Sequence, residues 1–451
     1  MWSHQQEGVD YAENRRSCIF HVGMGGGKTR TALEALKKAG HKKVLVCCPK
    51  AVIEAWEKQA GLWAKEYDVL LLNKGTAKKK AEMLKSALGV HKRLIVVINY
   101  ESAWRCDLIE KTPWDCLVYD EVHRLKSPSG KASRWAARMG KKNPETQRYG
   151  LSGTLLPNTI LDAYGVYRAM ESPECQTFGN SNTLFRRRYA IENPHVPGMV
   201  IDYANTEDFS KRIAETTFYR KSEDILDLPP IMHQEVIVPM TPAEARLYKE
   251  IESDCCAVLE EGQVTPQNVL VQLIRLLEVC GGYIHYDGEK NASEISSPCS
   301  KVNAISDLLL DLPKDEPVVV FCRFRAELAG IKKACEKMGR TTSELSGSMN
   351  QLADWQAGKT SVLVANTQSG GIGVDLTRAA YGVFYSLGHS LADYLQAIAR
   401  LHRPGQEKRT HFYSLVSQAG EKNTVDHAVY DALRNKRKVI DDIIERRFFA
   451  R

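Results

Sequence analysis

The chain has 451 residues, 43% of them apolar and 26% charged, a globular composition with material for more than one core. That balance excludes disorder and fibres, and no run approaches the roughly 20 apolar residues of a membrane helix. Lysine and arginine outnumber acidic residues 62 to 55, a net charge of +7, which is compatible with a polyanionic partner but does not by itself establish one.

Residues 1–16 are polar and charged, and the apolar stretch at 18–22 is too short for the core of an export signal. The twelve cysteines form no Cys-x-x-Cys pattern. Cys47, Cys48, Cys116 and Cys322 lie inside apolar, strand-like runs, where cysteine behaves as a small hydrophobe. Reduced thiols in a cytoplasmic setting are expected, without structural zinc.

The first predicted strand, 18–22, runs into Gly23-Met24-Gly25-Gly26-Gly27-Lys28-Thr29 and then a helix rich in Ala and Leu. Glycines let main-chain N–H groups wrap a polyphosphate, and the helix N-terminus adds partial positive charge. Lys28 is placed to reach phosphate oxygens and Thr29 to ligate Mg2+. Val22 stands where the strict P-loop pattern has its first glycine, so the string is a phosphate-loop candidate rather than a full match.

Further strands are predicted at 44–48, 94–98, 116–119 and 148–151, each followed by a loop and a helical pattern, the rhythm of a parallel sheet wrapped by helices. The strand at 116–119 ends in Asp120-Glu121-Val122-His123. There Asp120 can hold a metal ion through water and Glu121 can polarise the water that attacks a γ-phosphate. Arg186-Arg187-Arg188, between Phe185 and Tyr189, reads equally as a nucleic-acid contact or a plain exposed helix face.

Paired prolines in Asp227-Leu228-Pro229-Pro230 mark a hinge, giving lobes at 1–226 and 227–451. Beyond it, 241–262 and 265–280 carry helical periodicity, with Leu270, Leu273, Ile274 and Leu277 on one face. A second strand series follows at 318–322, 361–365, 382–385 and 411–415, and 424–447 reads as a helix, basic on one side, that braces the lobes.

Asp120 to His123 is a DExH box, and the strings around it resemble superfamily 2 helicase-like ATPases, most closely the Swi/Snf-like DNA translocase branch in its compact phage or prophage form. His4-Gln5-Gln6-Glu7-Gly8-Val9 resembles the adenine-reading Q motif, Cys48-Pro49-Lys50 through Trp56 motif Ia, and Asn99-Tyr100-Glu101 motif Ib. Asp120 to Lys126, followed by Ser127, resembles the DEAHRLKN stretch, and Leu151-Ser152-Gly153-Thr154 through Asn158 motif III. In the second half, Val320-Phe321-Cys322-Arg323-Phe324 resembles motif IV, Leu345-Ser346-Gly347-Ser348 the next block, and the string from Asn366 to Thr377 motif V. Gln396-Ala397-Ile398-Ala399-Arg400-Leu401-His402-Arg403-Pro404-Gly405-Gln406 resembles motif VI. Leu155, Asp375 and His389 depart from the family's usual proline, asparagine and tryptophan. An aspartate facing a DNA phosphate would repel it, so Asp375 is expected to make a backbone or lobe contact.

The resemblance implies an α/β fold of two tandem RecA-like lobes, with parallel sheets flanked by helices plus small helical insertions. It implies ATP and Mg2+ as cofactors, with Gln5 reading adenine, Gly25, Gly27, Lys28, Thr29 and Gln396 holding nucleotide, and Thr29 and Asp120 holding the metal. Lys28, Asp120, Glu121, Arg400 and Arg403 are the implied catalytic residues, and Ser152 and Thr154 the coupling ones. Nucleic-acid contacts are implied at Lys50, Tyr100, Arg124, Lys126, Arg323, Ser348, Thr367 and Gly371. The expected activity is ATP-driven movement on double-stranded or branched DNA in recombination, replication-fork or nucleoprotein remodelling, by a monomer in the cytoplasm, the bacterial host's if a phage encodes it. Other nucleoprotein components are further partners, and a membrane is not one. A strand-separating DNA or RNA helicase is the alternative, and a non-hydrolysing, nucleotide-dependent DNA-binding scaffold the next.

Overall fold

The computed structural model describes residues 1–171, 176–194, 198–260, 266–286, 289, 291–367 and 374–448. The chain divides into two compact units, one of Met1–Asp227 with the end of the last helix from Arg437, the other of Leu228–Lys436.

In the first unit, β1 (Ser17–Val22), β2 (Lys43–Cys48), β3 (Asp68–Leu71), β4 (Leu94–Asn99), β5 (Cys116–Asp120), β6 (Gln147–Ser152) and β9 (Thr217–Arg220) form one sheet in the order β3-β4-β2-β5-β6-β1-β9. Every pairing in it is parallel. Parallel neighbours need crossovers, and helices Lys28–Lys38, Ile53–Trp63, Ala77–Val90 and Lys131–Lys142 supply them. Val44, Leu45, Val46, Cys47 and Cys48 are all fully buried, because helices cover both faces of the sheet. This explains why these strands read as continuous apolar runs rather than alternations.

Register decides where the chemistry falls. His21 lies opposite Ser152, Asp120 opposite Leu151, and Cys48 opposite Asn99. The carboxyl ends of β1, β2, β4, β5 and β6 therefore emerge along one edge, where ligands of open α/β sheets bind.

A short antiparallel ribbon, β7 (Ala190–Glu192) with β8 (Val200–Tyr203), follows helix Asn182–Tyr189. Phe185 and Tyr189 of that helix are buried against Phe178, and Tyr189 also packs on Phe209. Arg186 pairs with Glu192 and Arg188 with Asp208. The two aromatics are thus core residues rather than exposed stacking platforms, which favours the plain-helix reading of that run.

The second unit holds β10 (Ile231–Pro239), β11 (Tyr283–Ile284), β12 (Ser293–Glu294), β13 (Val318–Cys322), β14 (Thr342–Leu345), β15 (Val362–Asn366), β16 (Tyr381–Phe384) and β17 (Thr410–Ala419). Its main sheet runs β10-β17-β16-β13-β15-β14, again all parallel along that path. Helices Pro242–Glu260 and Pro266–Cys280 form the insertion expected from periodicity, and Val425–Phe448 the final helix. Lys301, 0% exposed, donates to Asp426 at 2.6 Å and to Tyr385 O at 2.8 Å, tying the start of that helix to the sheet. Removing one partner of such a buried pair typically costs about 3–5 kcal/mol. Among the described residues no helix is long and apolar enough to cross a membrane.

Candidate nucleotide site and nucleic-acid interface

The loop after β1 is shaped by two glycines in the left-handed region, Gly25 (φ 82°) and Gly27 (φ 76°). A Cβ on Gly27 would fall 2.1 Å from Gln5 Nε2, so glycine also lets the Q-motif side chain approach. Gln5 is 2% exposed and its Oε1 accepts from Trp2 N at 3.0 Å, while the neighbouring His4 Nε2 contacts Gly26 O at 2.8 Å. Helix Ser3–Ala12 is in this way docked onto the loop.

Lys28 opens helix Lys28–Lys38, and its ammonium donates to Val22 O at 3.0 Å and Gly23 O at 3.4 Å. Thr29 is the next residue of the same turn. The loop's back wall is Ser222, whose hydroxyl donates to Met24 O, with Gly23 N donating to Arg220 O. His21 lies beneath: burial, with the Lys28 charge added, drives its pKa down to about 3, so the ring is neutral at working pH.

Asp120 is oriented by two donors, Trp56 Nε1 to Oδ2 at 2.8 Å and Glu121 N to Oδ1 at 3.0 Å. Burial, then the neighbouring Glu121 charge, raises its carboxyl above the ordinary value, while Trp56 and Lys28 oppose the rise. Glu121 has φ 51°, a left-handed conformation that costs a non-glycine residue about 1–2 kcal/mol. Two residues on lies His123, whose Nδ1 is 3.4 Å from Glu121 Oε2 and 3.1 Å from Ser152 Oγ. The same Ser152 oxygen accepts from Thr154 N at 3.0 Å. A continuous path thus joins Glu121 to Ser152 and Thr154. A Cβ on Gly153 would stand 3.4 Å from Lys28 Nζ, which brings this segment against the phosphate loop.

The loop, its lysine and the acidic pair suit a magnesium-bound nucleoside triphosphate: N–H groups and one ammonium for phosphate oxygens, a hydroxyl and a carboxylate for a hard divalent ion.

Beside them, Lys50 is exposed in the turn Lys50–Val52. Arg124 donates to Glu101 Oε1 at 3.0 Å and Glu101 accepts from Asn99 as well. Lys126 is half-buried next to Asn158. Tyr100 is 2% exposed and its hydroxyl donates to Asp120 O at 2.8 Å. Its side chain therefore links motif Ib to β5 inside the unit and does not present a surface to a ligand.

In the second unit, Arg323 N donates to Glu327 Oε2 and Ser386 Oγ, both at 2.9 Å, and its buried Nη1 finds no acceptor among the described residues. Thr367 Oγ1 donates to Cys322 O, and Ser348 lies on the surface 3.2 Å from the Ser346 hydroxyl. Arg323, Asn366 and Thr367 line a cavity of about 370 Å3 with Phe384 and Tyr394. Gly371 falls outside the described residues. Motifs V and VI pack on each other: Leu376 N donates to Arg400 O at 3.0 Å and Arg403 Nη1 to Val374 O at 3.4 Å, while Gln396 is buried. Asp375 accepts from Thr377 N at 3.0 Å and Thr377 Oγ1 at 2.7 Å, the backbone contact expected of it. Burial opposes its ionisation, but these bonds, with Arg403 and Arg400 nearby, keep the carboxyl below its ordinary value.

The SNF2-related domain family matches residues 4–282, and the helicase conserved C-terminal domain matches residues 300–405. The chain belongs to the SNF2-related family. Protein p41 of Acyrthosiphon pisum secondary endosymbiont phage 1 is 26% identical over 96% of this SNF2-related chain and 95% of its own length. YwqA of Bacillus subtilis and the chromodomain-helicase-DNA-binding protein 1-like of Danio rerio are each 22% identical over 94% and 99% of this chain, which spans only 46% and 44% of their lengths. A solved structure, the Sulfolobus solfataricus SWI2/SNF2 ATPase core in complex with dsDNA, aligns with 98% of this chain and 92% of that one at 20% identity and a TM-score of 0.44. The superfamily 2, Swi/Snf-like and phage-type identification drawn from the motifs is borne out, and membership of this helicase-like ATPase family implies use of ATP.

The sequence assigned no individual role to several residues that shape the site, among them His4 and Trp56, which lie within motif strings, and His21 and Ser222. Trp56 carried one signal, the buried spacing of Ile53, Trp56 and Ala60 along its helix. The DExH box marked its partner Asp120, but nothing in the sequence joined the two.

Proposed function

We propose that this chain hydrolyses ATP, stimulated by DNA, and uses the reaction to move along double-stranded or branched DNA, in recombination, replication-fork or nucleoprotein remodelling. The observation that carries the reading is the path from Glu121 through His123 to Ser152 and Thr154, on the sheet edge that also carries Lys50 and Arg124. It offers a physical means for the hydrolytic site and a phosphate-binding surface to sense each other.

In this reading Gln5 contacts the base, the N–H groups around Gly25 and Gly27 wrap the phosphates, and Lys28 exchanges its two carbonyl acceptors for phosphate oxygens. Bound Mg2+ would neutralise phosphate charge, with Thr29 and Asp120 holding it. Glu121 accepts the proton of the attacking water. Arg400 and Arg403, with Gln396, act on the nucleotide from the second unit, since guanidinium groups stay charged and pair with phosphate oxygens in a fixed fork. Fingers of this kind are worth on the order of 10³–10⁵ in rate in phosphohydrolases. Lys50, Arg124, Lys126, Arg323, Ser348, Thr367 and Gly371 would grip backbone phosphates, because a motor that walks must ignore base sequence.

A strand-separating helicase is the second reading. It is favoured by the β7–β8 ribbon, where Ile191 and Ile201 are exposed apolar side chains able to act as a wedge. The deciding experiment measures ATPase activity with duplex, single-stranded, forked and RNA ligands, alongside triplex displacement and fork unwinding. Duplex-stimulated turnover with triplex displacement supports the translocase. Fork unwinding without triplex displacement would reverse the ranking, and ATP binding with no turnover would leave a scaffold. Lys28→Ala and Glu121→Gln are each expected to abolish turnover, and undiminished hydrolysis by Glu121→Gln would refute its assigned role.

A further inference from the structure

Among the described residues two lysines are buried, and they differ in how their charge is met. Lys301 has Asp426 at 2.6 Å. Lys80 is 6% exposed, yet its ammonium has only the neutral hydroxyl of Ser102, at 2.8 Å, and no carboxylate pairs with it among the described residues. The buried guanidinium groups of Arg148 and Arg340 are met by main-chain carbonyls, so Lys80 stands apart from these too. An ammonium has three donors, and withdrawing it from water costs several kcal/mol unless an anion or several acceptors replace the solvent. Burial lowers the Lys80 pKa against an opposing effect of the nearby Cys106, and the charge of Lys50 adds to the fall, so two cations share one place.

Sheet topology explains the crowding. Lys80 lies in the first turns of helix Ala77–Val90, which follows β3, and Ser102 lies in the turn of helix after β4. Lys50 follows β2, and Arg124 follows β5. The strands β3, β4, β2 and β5 are successive neighbours, so these four positions form a row along the carboxyl edge, about 14 Å across at about 4.8 Å per strand. The exposed Lys74, Lys78 and Lys79 extend the positive charge past its end. With its stem covered and its tip at the edge of the row, Lys80 is built like a snorkelling lysine that awaits an anion.

We propose that Lys80, positioned by Ser102, binds a backbone phosphate of duplex DNA beside Lys50, extending the first unit's contact surface onto helix Ala77–Val90. This rests on the DNA-motor reading above. The test is binding of a labelled duplex to the full chain across a salt series, comparing wild type, Lys80→Met, Lys80→Arg, Ser102→Ala and Lys50→Met. Each phosphate neutralised contributes about 0.9 to the slope of log affinity against log salt. Lys80→Met, which keeps the stem, should lower the slope's magnitude by about that amount and weaken binding several-fold, while Lys80→Arg keeps the slope. Partial unfolding would lower the binding-competent fraction without changing the slope, so the slope separates lost charge from lost fold. A wild-type slope in Lys80→Met overturns the site, and if Lys50→Met still lowers it, the DNA reading survives. A wild-type chain with no salt-dependent duplex binding sinks both.

Discussion

The indole N–H of Trp56 donates to Asp120 Oδ2 at 2.8 Å, joining the helix that follows the Lys50 turn to the carboxylate proposed to hold the metal ion. Trp56 is 2% exposed, so water does not replace this donor when it is removed. Hydrogen bonds to charged groups contribute about 1.5–3 kcal/mol. Trp56→Phe keeps much of the ring's bulk and deletes the N–H. We expect stability to fall by about 1–3 kcal/mol and DNA-stimulated kcat by at least about tenfold, with KM for ATP changed little. Thermal melts and steady-state kinetics at saturating Mg2+ check both, and an unchanged kcat would show that Asp120 needs no orienting partner.

The shared position of His123 Nδ1 between Glu121 and Ser152 makes a different prediction. His123→Ala and Ser152→Ala should each leave nucleotide affinity near wild type and cut the stimulation by DNA about tenfold. Because both cut one path, the double variant should lose little more than either single one, the non-additivity expected of residues in one network. Additive losses would place the two on separate routes.

Burial raises the Glu171 carboxyl to about 7, against the weaker pull of Thr177, which donates to it through N–H and hydroxyl. A carboxyl with a raised folded-state value binds its proton more tightly in the fold than in the unfolded chain. Stability from this group is therefore greatest at low pH and is lost as pH rises from the ordinary carboxylate range through about 7. Glu171→Gln removes that term. Between pH 5 and pH 8 the variant should gain about 2 kcal/mol relative to wild type, at about 1.4 kcal/mol per pKa unit. Paired urea melts at the two pH values measure it, and a constant difference would mean that Glu171 titrates normally.

The parts of the fold legible in the sequence share one physical property. The strands predicted at 44–48, 94–98 and 318–322 are buried on both faces, and continuous apolar runs survive any uncertainty about register. The strands not foreseen lack that signature. β3 is four residues long and partly exposed, β14 alternates, and β10 lies at a sheet edge with most of its residues at least partly exposed, so it blended into the proline hinge. The phosphate loop and the DExH box were legible because their chemistry is local, within a few residues of one strand end. Trp56 with Asp120 and Lys80 with Ser102 span 64 and 22 residues, and periodicity says which side is buried but not which residue it meets. Tyr100 shows the same limit from the other direction: its place in motif Ib suggested a ligand contact, while the fold turned its hydroxyl inward to Asp120 O.

Gly27 tests whether the Q motif and the phosphate loop act as one unit. Its φ of 76° is unfavourable for any residue with a Cβ, and a Cβ there would fall 2.1 Å from Gln5 Nε2. Gly27→Ala therefore meets two penalties, about 1–2 kcal/mol of backbone strain and a collision with a buried amide. The collision can be relieved if Gln5 withdraws, which would free the base contact while leaving the phosphate contacts of Lys28. Gly27→Ala should consequently lose at least about tenfold in affinity for ATP, and Gln5→Ala made in the same chain should recover the stability lost to the collision, though not that lost to backbone strain, without restoring affinity. Melting temperatures and titration with a fluorescent ATP analogue follow the two effects separately. Recovery of affinity in the double variant would show that Gln5 obstructs the nucleotide rather than reading it, and the assigned role of the Q motif would have to be abandoned.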